Sequence, residues 1–349
     1  MFVITGALKN YEWGSAEGLR PWTRGPSPLA ELWFGVHPSG PSPLVDSADT
    51  LDQHLDADQA PILVKLLSAA KPLSIQVHPN REMAEHGFRE LNQQDAYQGA
   101  FADPNEKIEM LYALENFDAF VGWRPKPETT AVLGALAELH ADFARYAKLD
   151  FSQMAQVAGS LTDLGVLIAL IPLAARNAGL SELDCAAYST VAAEYPNDPG
   201  AILALYLRVV RLAPGESLFV PSGVPHSYIR GTGLEVMTSS DNVLRLGLTP
   251  KPAFIDLALQ VLDFSEVSAN ASDAPFSIQV QSSSDAGLIA DMGAYRVILC
   301  LEGTVSVSVR SSELASELTP GQAAILTAAE PEAHITTTGF VAVVTAGAK

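Results

Sequence analysis

The chain has 349 residues, of which 48% are hydrophobic and 17% are charged, a composition typical of a folded globular protein. This length exceeds the usual size of one hydrophobic core, so we expect two or three domains. The 40 acidic and 21 basic residues give a formal net charge of −19, and a surface of that sign repels nucleic-acid phosphates and anionic lipids. We therefore expect no nucleic-acid partner and no membrane partner.

Cysteine content and the terminal sequence bear on the cellular compartment. Cys185 and Cys300 lie in unrelated contexts and cannot build a disulfide framework or a thiolate metal site, which fits a reducing cytoplasm. The N-terminus lacks a basic segment followed by an apolar core, so it does not look like a signal peptide. The longest apolar run, near residues 165–175, is shorter than a bilayer span of about 20 residues. The sequence thus predicts a soluble, cytoplasmic protein.

Residues 1 to about 122 predict short strands. This region is rich in Gly, Pro and Trp, and its apolar runs, such as residues 62–64 and 73–77, are bounded by turn residues. Short apolar runs between turn residues are typical of β-strands rather than helices.

Residues 127–206 instead carry a helical pattern. Pro127 followed by Glu128 suits the first turn of a helix, and Pro196 and Pro199 interrupt the last stretch. The apolar residues at three- and four-residue spacing are Val132, Leu133, Leu136, Leu139, Phe143, Leu161, Leu164, Ile168 and Ile171. We interpret this block as a helical insertion whose main role is packing.

Strand-like segments return at residue 207 and continue to the end of the chain. Runs at residues 207–212 and 217–221 precede a final stretch, 266–349, of short alternating runs. Those runs lie at 295–301, 305–309, 323–326 and 340–345, with glycines between them. Several short strands with regularly spaced turns are typical of a β-sandwich or barrel. The predicted fold is mainly β with an α-helical insertion.

One spacing pattern occurs twice in the strand regions. Gly215, Pro221 and His226 follow one another with five and four residues between them. Residues 318–332 repeat the outline, with Pro320-Gly321 in the place of Pro214-Gly215, but carry no histidine at the last position. The first copy resembles the second motif of the cupin superfamily. This resemblance implies a jelly-roll β-barrel in the catalytic region and a second, metal-free, cupin-like jelly roll at the C-terminus.

A candidate metal site is formed by four polar residues near the predicted strands. Gln76 and His78 are two residues apart, so they share one face of a strand. His226 follows a stiff turn, and Glu109 shares with Lys107 the polar face of an alternating segment. Each residue alone also fits a structural role, as a strand-end pair, a core histidine or a solvent-facing charge. Their combination favours one shared cation.

The donor types of this site limit the metal. One amide oxygen, one carboxylate and two imidazoles make a mixed oxygen and nitrogen site without thiolates. Zinc accepts histidine and carboxylate ligands at about 2.0–2.2 Å, and it is our first choice, with one ion per chain. Ligand type alone leaves iron, cobalt and manganese open.

Basic residues surround these candidate ligands. The set comprises Lys65, Lys71, Lys107, Arg245 and Lys251. In a chain of charge −19, such a set suits a phosphate dianion. We interpret Lys71 as an ordinary surface lysine, but Lys107 and Arg245 as functional residues. Asp241 and Asn242, shortly before Arg245, could orient its guanidinium or bind hydroxyl groups.

Six segments taken together are similar to one enzyme family. In family order they are YEWGS at 11–15, AELWFGVHP at 30–38, LSIQVHPN at 73–80, KIEMLYAL at 107–114, PHSY at 225–228, and the stretch from LEVM through SSDNVLR to LTPK at 234–251. The combination resembles the type I mannose-6-phosphate isomerases, also called phosphomannose isomerases, which are zinc enzymes of the cupin superfamily. Each segment alone is weakly specific, but the ordered set is highly specific.

The resemblance implies a role for individual residues. The family's zinc ligands fall on Gln76, His78, Glu109 and His226, the four candidates reached from the residues themselves. We assign catalysis to Lys107, Arg245 and Asp241. We assign substrate binding to Ser74, Lys65, Glu235, Tyr228 and Lys251. The expected domains are a catalytic cupin domain at 1–126 and 207–265, a helical domain at 127–206, and a metal-free cupin-like domain at 266–349.

One segment departs from the family pattern. The family usually reads Asn-His-Lys-Pro-Glu at the glutamate ligand, whereas this chain has Glu106 in place of the histidine and Ile108 in place of the proline. If the family histidine joins the proton relay, then Glu106 must replace it or the relay must differ.

The expected reaction is the interconversion of mannose 6-phosphate and fructose 6-phosphate through a cis-enediol. Zinc would act as the electrophile, Lys107 with Asp241 and Glu106 would transfer protons, and Arg245 would pair with phosphate or enediolate. Two alternatives stay open, an iron-dependent cupin oxygenase and a catalytically silent, regulatory sugar-phosphate-binding cupin. The expected partner is a hexose 6-phosphate and the expected state is a monomer. Larger oligomers stay open, as does the choice between a biosynthetic role, supplying GDP-mannose, and mannose breakdown.

Overall fold

The structure is a computed structural model that describes residues 1–265, 273–283, 288–290, 292–309 and 315–347. In this part of the chain the first strands and one helix are β1 (Phe2–Thr5), β2 (Ala7–Lys9), β3 (Glu31–Phe34), β4 (Ile62–Ala69), β5 (Ile75–Val77), α1 (Arg81–Arg89), β6 (Glu109–Ala113) and β7 (Phe117–Trp123). The helical insertion comprises α2 (Lys126–Leu139), α3 (Phe151–Val157), α4 (Leu164–Asn177), α5 (Glu182–Glu194) and α6 (Gly200–Leu203).

Strands then resume and continue to the C-terminus. They are β8 (Leu207–Leu212), β9 (Ser217–Val220), β10 (His226–Thr238) and β11 (Leu244–Gly247), followed by α7 (Ile255–Val261), and then β12 (Phe276–Ser282), β13 (Leu288–Ala290), β14 (Tyr295–Cys300), β15 (Val305–Val309), β16 (Ala315–Leu318), β17 (Gln322–Leu326), β18 (Ala333–Thr337) and β19 (Phe340–Ala346). Short 3₁₀ turns occur at Leu51–Gln53, Leu91–Gln93, Asp95–Tyr97, Ala141–Arg145, Ala158–Ser160 and Ala204–Tyr206. The prediction of a mainly β chain with a helical insertion is confirmed.

The long strand β10 organises the first sheet. Residues 231–238 pair with β4 and residues 233–237 pair with β6, while the beginning of the strand pairs with β5 and β7. This strand of 13 residues therefore pairs with different strands at different points along its length. Because its first residue is His226, this arrangement places the predicted ligand between β5 and β7, which pair with β10 on opposite sides.

The helical insertion shares one apolar core with strands of the first sheet, including Ile75, Phe120 and Leu244. Asp150 and Ser181 cap α3 and α5 with reciprocal capping boxes, which satisfy the free N–H groups at the helix starts. The buried guanidinium of Arg124, directly after β7, donates to Asp184 of α5 and to the hydroxyl of Tyr188. None of the helices in the described part of the chain has the length and apolar character that crossing a bilayer requires.

Two sheets form the C-terminal region. One has the order β1-β17-β14-β19-β12 and the other the order β13-β18-β15-β16. Apolar residues between them include Ile298, Val307 and Ile335, whereas the opposite face of the five-stranded sheet packs against the first sheet through residues such as Val297. Strand β1 comes from the N-terminus yet pairs with β17, so both ends of the chain share one sheet. The domain limits given above stay a prediction.

The repeated spacing has a counterpart in the backbone. Gly215 precedes β9 and Gly321 precedes β17, and their φ angles are +92° and +86°. This left-handed region strongly favours glycine, because a side chain would clash with the following carbonyl. Both turns therefore place a glycine with a positive φ shortly before a strand.

Candidate functional site

Strand pairing gathers the four predicted ligands at one place. Gln76 in β5 pairs with His226 of β10 on one side and with Arg245 of β11 on the other. His78 comes directly after β5, two residues beyond Gln76, and Glu109 is the first residue of β6. Gln76 and His78 lie two residues apart, as predicted, and His226 and Glu109 are the first residues of β10 and β6. These positions bring the four side chains into one compact cluster.

Two imidazoles in this cluster point at one carboxylate. Nε2 of His78 and Nε2 of His226 lie 3.3 and 3.2 Å from Oε2 of Glu109. Nδ1 of His78 donates to the carbonyl of Asn242 at 2.7 Å, and Nδ1 of His226 donates to the carbonyl of Val224 at 3.1 Å. Because each proton lies on Nδ1, both Nε2 atoms present lone pairs. Burial lowers the pKa of the His78 imidazole to about 4, which keeps this ring neutral.

The cluster fits a cation. Nε2 of His78 and Oε2 of Glu109 are buried and lack a hydrogen-bond partner among the described residues. Burying such acceptors is unfavourable unless a positive group satisfies them. Ligand atoms of His78, Glu109 and His226 all lie within 4.8 Å of one another. The Gln76 amide is 3.2 Å from Nε2 of His226, and rotating it by about 180° exchanges its nitrogen for its oxygen.

Charged side chains surround the cluster. Nζ of Lys107 lies 3.0 Å from Oε1 of Glu109, and Nζ of Lys65 lies 2.8 Å from Glu235 and 3.8 Å from Glu31. Burial disfavours the charge on Lys65, but the two carboxylates outweigh it and raise the pKa of Lys65. Burial likewise opposes ionisation of Glu109, but the ammonium group of Lys107 holds its pKa well below the ordinary value. Burial raises the pKa of Glu235 against the opposing effect of Lys65.

These five buried charges comprise one more carboxylate than ammonium groups. A divalent cation would therefore compensate the local excess of negative charge as well as the orphaned acceptors. Two imidazoles, one carboxylate and an amide oxygen form a donor set that zinc accepts.

Gln76 and Glu109 of the cluster line a cavity of about 860 Å³. His78 and His226 lie behind its wall and are fully buried. The predicted catalytic and substrate-binding residues all line the cavity, namely Ser74, Lys65, Lys107, Tyr228, Glu235, Asp241, Arg245 and Lys251. Burial, followed by the effect of Glu235, raises the pKa of the Tyr228 hydroxyl well above its ordinary value. The structure brings the predicted residues together, while their individual roles stay predictions.

Arg245 presents its guanidinium to the cavity. It is half-buried, burial lowers its pKa, and its guanidinium makes no hydrogen bond or ion pair within the described residues. The suggestion that Asp241 and Asn242 orient this side chain is wrong. The Asn242 amide instead donates to the carbonyls of Asp103 and Asn105, both at 2.8 Å.

Asp241 is oriented by a histidine to which the sequence patterns assign no role. Nδ1 of His37 accepts the backbone N–H of Ser39 at 3.2 Å, so Nε2 carries the proton. That Nε2 donates to Oδ2 of Asp241 at 3.1 Å, and this hydrogen bond holds the pKa of Asp241 below its ordinary value. The ring of His37 also packs edge-on against Trp33. The only signal in the sequence is its position in the family segment 30–38.

The residues that depart from the family pattern have structural contacts. Oε1 of Glu106 accepts a hydrogen bond from Ser222 at 2.8 Å, in the turn that precedes His226. Glu106 is not among the residues that line the cavity, so its placement does not support a relay role. Ile108 packs against the apolar core, and its N–H donates to the hydroxyl of Thr238.

The helical insertion also reaches the cavity. Glu194, the last residue of α5, lies 3.1 Å from Nζ of Lys71, and the hydroxyl of Tyr195 donates to the carbonyl of Pro72 at 2.7 Å. Glu194, Tyr195 and Lys71 all line the cavity. The interpretation of the insertion as packing alone is therefore incomplete, and Lys71 is a half-exposed residue of the rim.

Comparison with known proteins places this fold and site in a class. Residues 1–126, which include three of the four clustered ligand candidates, match the family model described as "Phosphomannose isomerase type I, catalytic domain". The class defined by this match is thus that of the type I phosphomannose isomerases.

Relatives along the whole chain define the family. A mannose-6-phosphate isomerase from Escherichia coli (strain K12) is 31% identical, over 94% of this chain and 95% of the relative. A lysine-to-alanine mutant of phosphomannose isomerase from Salmonella typhimurium matches with a TM-score of 0.84 and 28% identity, covering 100% of both chains. A mannose 6-phosphate isomerase bound with zinc and yttrium matches with a TM-score of 0.82, 28% identity and 100% coverage of both chains. The chain belongs to the mannose-6-phosphate isomerase family.

Proposed function

We propose that the chain is a zinc-dependent aldose–ketose isomerase that interconverts D-mannose 6-phosphate and D-fructose 6-phosphate. One observation carries the proposal. His78 and Glu109 carry buried acceptors without a hydrogen-bond partner among the described residues, and Glu109 lines a cavity together with Arg245, whose guanidinium makes no ion pair within the same part of the chain. A cation site and an anion receptor in one cavity suit a substrate with a carbonyl at one end and a phosphate at the other.

The proposed zinc ligands are Gln76, His78, Glu109 and His226. When bound, zinc would supply an electrophile that polarises the substrate carbonyl and stabilises developing oxyanion charge. The hydrogen bonds from Nδ1 of each histidine to a backbone carbonyl would hold the rings in the ligating orientation. The structural neighbour that is bound with zinc and yttrium supports this choice of metal.

The proposed phosphate receptor is formed by Arg245, Lys251 and Ser74. A guanidinium matches phosphate with two parallel N–H donors, and its half-buried position strengthens those bonds relative to bulk water. Arg245 pairs with Gln76 across neighbouring strands, so the receptor is fixed at a set distance from the ligand cluster. We assign Lys65, Glu235 and Tyr228, which line the same cavity, to binding hydroxyl groups of the sugar.

The proposed proton transfer takes place between C1 and C2 of the open-chain sugar. A base removes the C2 proton of the aldose while the C1 oxygen gains a proton, which gives the cis-enediol. Return of a proton to C1, with loss of the proton on the C2 oxygen, gives the ketose. We assign ring opening and this transfer to Lys107, with Asp241 as its acidic partner across the cavity.

Removal and return of metal test the proposal. Chelation of the purified protein should abolish isomerisation of mannose 6-phosphate, and zinc should restore it. Iron-dependent oxygen consumption without isomerisation would instead support a cupin oxygenase. Undiminished isomerisation after complete metal removal would overturn the zinc mechanism.

Ligand variants test the metal site separately. Gln76→Ala and His226→Ala should each reduce bound zinc, measured by elemental analysis at equal protein concentration. His54→Ala is the matched control, because His54 lies at the surface and pairs with Asp49 outside the cavity. Full zinc content in both ligand variants would show that the ligand set is wrong.

A further inference from the structure

A single carboxylate joins the helical insertion to the wall of the cavity. Asp198 lies between α5 and α6, and its Oδ1 accepts the N–H groups of Gly200 at 2.8 Å and of Leu248 at 2.9 Å. Its Oδ2 accepts the N–H of Thr249 at 2.9 Å. Two of these three donors belong to the segment after β11, residues 248–251, which we call the wall loop. Every residue of the wall loop lines the cavity.

The wall loop has a backbone conformation that needs support. Leu248 is buried and has a φ of +56°, in the left-handed region that branched and bulky residues rarely occupy. Such conformations persist only where the surroundings over-determine them, and they concentrate at functional sites. The Asp198 carboxylate provides this support because it binds the N–H of Leu248 and the N–H that follows.

Close backbone contact fixes the same junction. A Cβ added to Gly200 would lie 2.5 Å from the backbone nitrogen of Leu248, and one added to Gly247 would lie 2.4 Å from the Cα of Gly200. The start of α6 and the end of β11 therefore touch through their main chains. Arg245 is two residues before Gly247, and Lys251 is four residues after it. The junction thus lies, along the chain, between two of the cations that line the cavity, Arg245 and Lys251.

We propose that Asp198 is a positioning residue for the phosphate end of the substrate. By fixing the wall loop, it sets the position of Lys251 relative to Arg245, so that both cations can meet one dianion. The inference rests on the proposed function, because it takes a phosphate as the anion between these side chains. Through Asp198, the helical insertion would take part in substrate recognition, whereas Glu194 and Tyr195 only connect it to the cavity wall.

Two substitutions test this role in the zinc-loaded protein. Asp198→Asn keeps the shape but replaces one carboxylate oxygen with an N–H donor, which opposes a backbone N–H. Asp198→Ala removes all three acceptor contacts. We expect the Kd for inorganic phosphate, measured by calorimetry, to rise about tenfold in Asp198→Asn and further in Asp198→Ala, because each lost bond to a charged group weakens the loop. The KM for mannose 6-phosphate should rise in parallel, while kcat changes by less than about threefold.

Asp150→Asn is the matched control. Asp150 also accepts a backbone N–H within the helical insertion, from Gln153, but it does not line the cavity. Its phosphate Kd, KM and kcat should equal those of the wild-type protein. Zinc content and the melting temperature, measured for each variant, show whether the fold is retained. If Asp198→Ala fails to fold, Asp198→Asn still decides the question.

Several outcomes would overturn the inference. The first is an unchanged phosphate Kd in Asp198→Asn. The second is a decrease of kcat, zinc content and melting temperature together, without a selective effect on phosphate binding. The calorimetric measurement does not depend on turnover. A wild-type protein that binds phosphate but does not isomerise mannose 6-phosphate would therefore contradict the proposed function, while the Kd of the variant would still decide the role of Asp198. A wild-type protein that binds no phosphate would overturn both.

Discussion

At the scale of single residues, hydrogen bonds to the main chain determine whether Nε2 of each buried histidine is a donor or an acceptor. His78 and His226 donate from Nδ1 to carbonyls, so their Nε2 atoms are acceptors that suit a cation. His37 accepts a backbone N–H on Nδ1, so its Nε2 is a donor that suits a carboxylate. The same side chain thus serves opposite purposes according to the main-chain group beside it.

Glu106 gives a first prediction at this scale. Its contact with Ser222 needs only an acceptor, which a glutamine also provides through its amide oxygen. We expect Glu106→Gln to keep kcat within about twofold of the wild-type value, whereas Glu106→Ala should weaken zinc binding by about tenfold, because the turn before His226 loses its partner.

Steady-state kinetics and zinc titration check this expectation, and Ser222→Ala should reproduce the zinc effect of Glu106→Ala. A loss of about 100-fold or more in kcat for Glu106→Gln would show that the carboxylate itself transfers protons.

The hydrogen bond between His37 and Asp241 gives a prediction about pH. His37→Phe keeps an aromatic ring against Trp33 but removes the donor that lowers the pKa of Asp241. The pKa of Asp241 should then rise, so the carboxylate is lost at a higher pH than in the wild-type protein. We expect the acid limb of the kcat/KM profile to shift to higher pH when both proteins are saturated with zinc. An acid limb that stays in place, as it should in the surface control His54→Phe, would contradict this role.

At the scale of secondary-structure elements, the pairing of β4 with β10 places buried charges opposite one another. The register sets Lys65 against Glu235, and the two side chains meet at 2.8 Å. Removing one partner of a buried pair leaves the other charge uncompensated, which destabilises a protein by about 3–5 kcal/mol. We therefore expect Lys65→Met to lower the free energy of unfolding by about 3 kcal/mol in urea denaturation.

A second substitution separates charge from packing. Adding Glu235→Gln to Lys65→Met should recover part of the loss, because the unpaired carboxylate is gone. Lys71→Met is the matched control, since the pair of Lys71 with Glu194 is half-exposed and such pairs contribute about 0–1 kcal/mol. Equal destabilisation by Lys65→Met and Lys71→Met would be inconsistent with the buried-pair argument.

Local patterns predicted the elements well, because a strand or a helix depends on the side chains next to one another. The strands predicted at 207–212 and 305–309 occur with those bounds, and Pro127 lies in the first turn of α2 as expected. Contacts between segments that are distant in sequence could not be predicted from local patterns. Ser222 meets Glu106 across 116 positions, and Asp198 meets Leu248 across 50, distances at which no periodicity can reveal a partner. Lys251 of the wall loop was predicted, but the support of this loop by Asp198 was missed for this reason.

At the scale of the whole molecule, the five-stranded sheet has apolar residues on both faces. One face packs on the four-stranded sheet and the other on the first sheet, through residues such as Val297 and Ile325 against Phe34 and Val236. Removing the sheet would expose that large apolar surface to water. A chain ending at residue 265 should therefore aggregate or melt at least about 10 °C below the full chain.

Soluble yield, size-exclusion chromatography and thermal melting followed by circular dichroism check this prediction. Co-expression of residues 266–349 as a separate chain should restore solubility, since it supplies the missing sheet. A soluble, monomeric, zinc-loaded protein ending at residue 265, with an unchanged melting temperature, would show that the first sheet is stable without the C-terminal sheet packed on its apolar face.

The pairing of β1 with β17 also has a consequence for synthesis. Phe2 pairs with Ile325, about 320 positions later, and Ile4 is fully buried once the sheet has formed. At about 5–20 residues per second, the ribosome reaches that partner roughly 15 to 60 seconds after it makes the first strand. For that time the apolar side chains of residues 2–4 lack their cover on the growing chain. We expect β1, the first strand to be synthesised, to be among the last to form its native pairing. We also expect chaperones to bind the nascent chain at this strand.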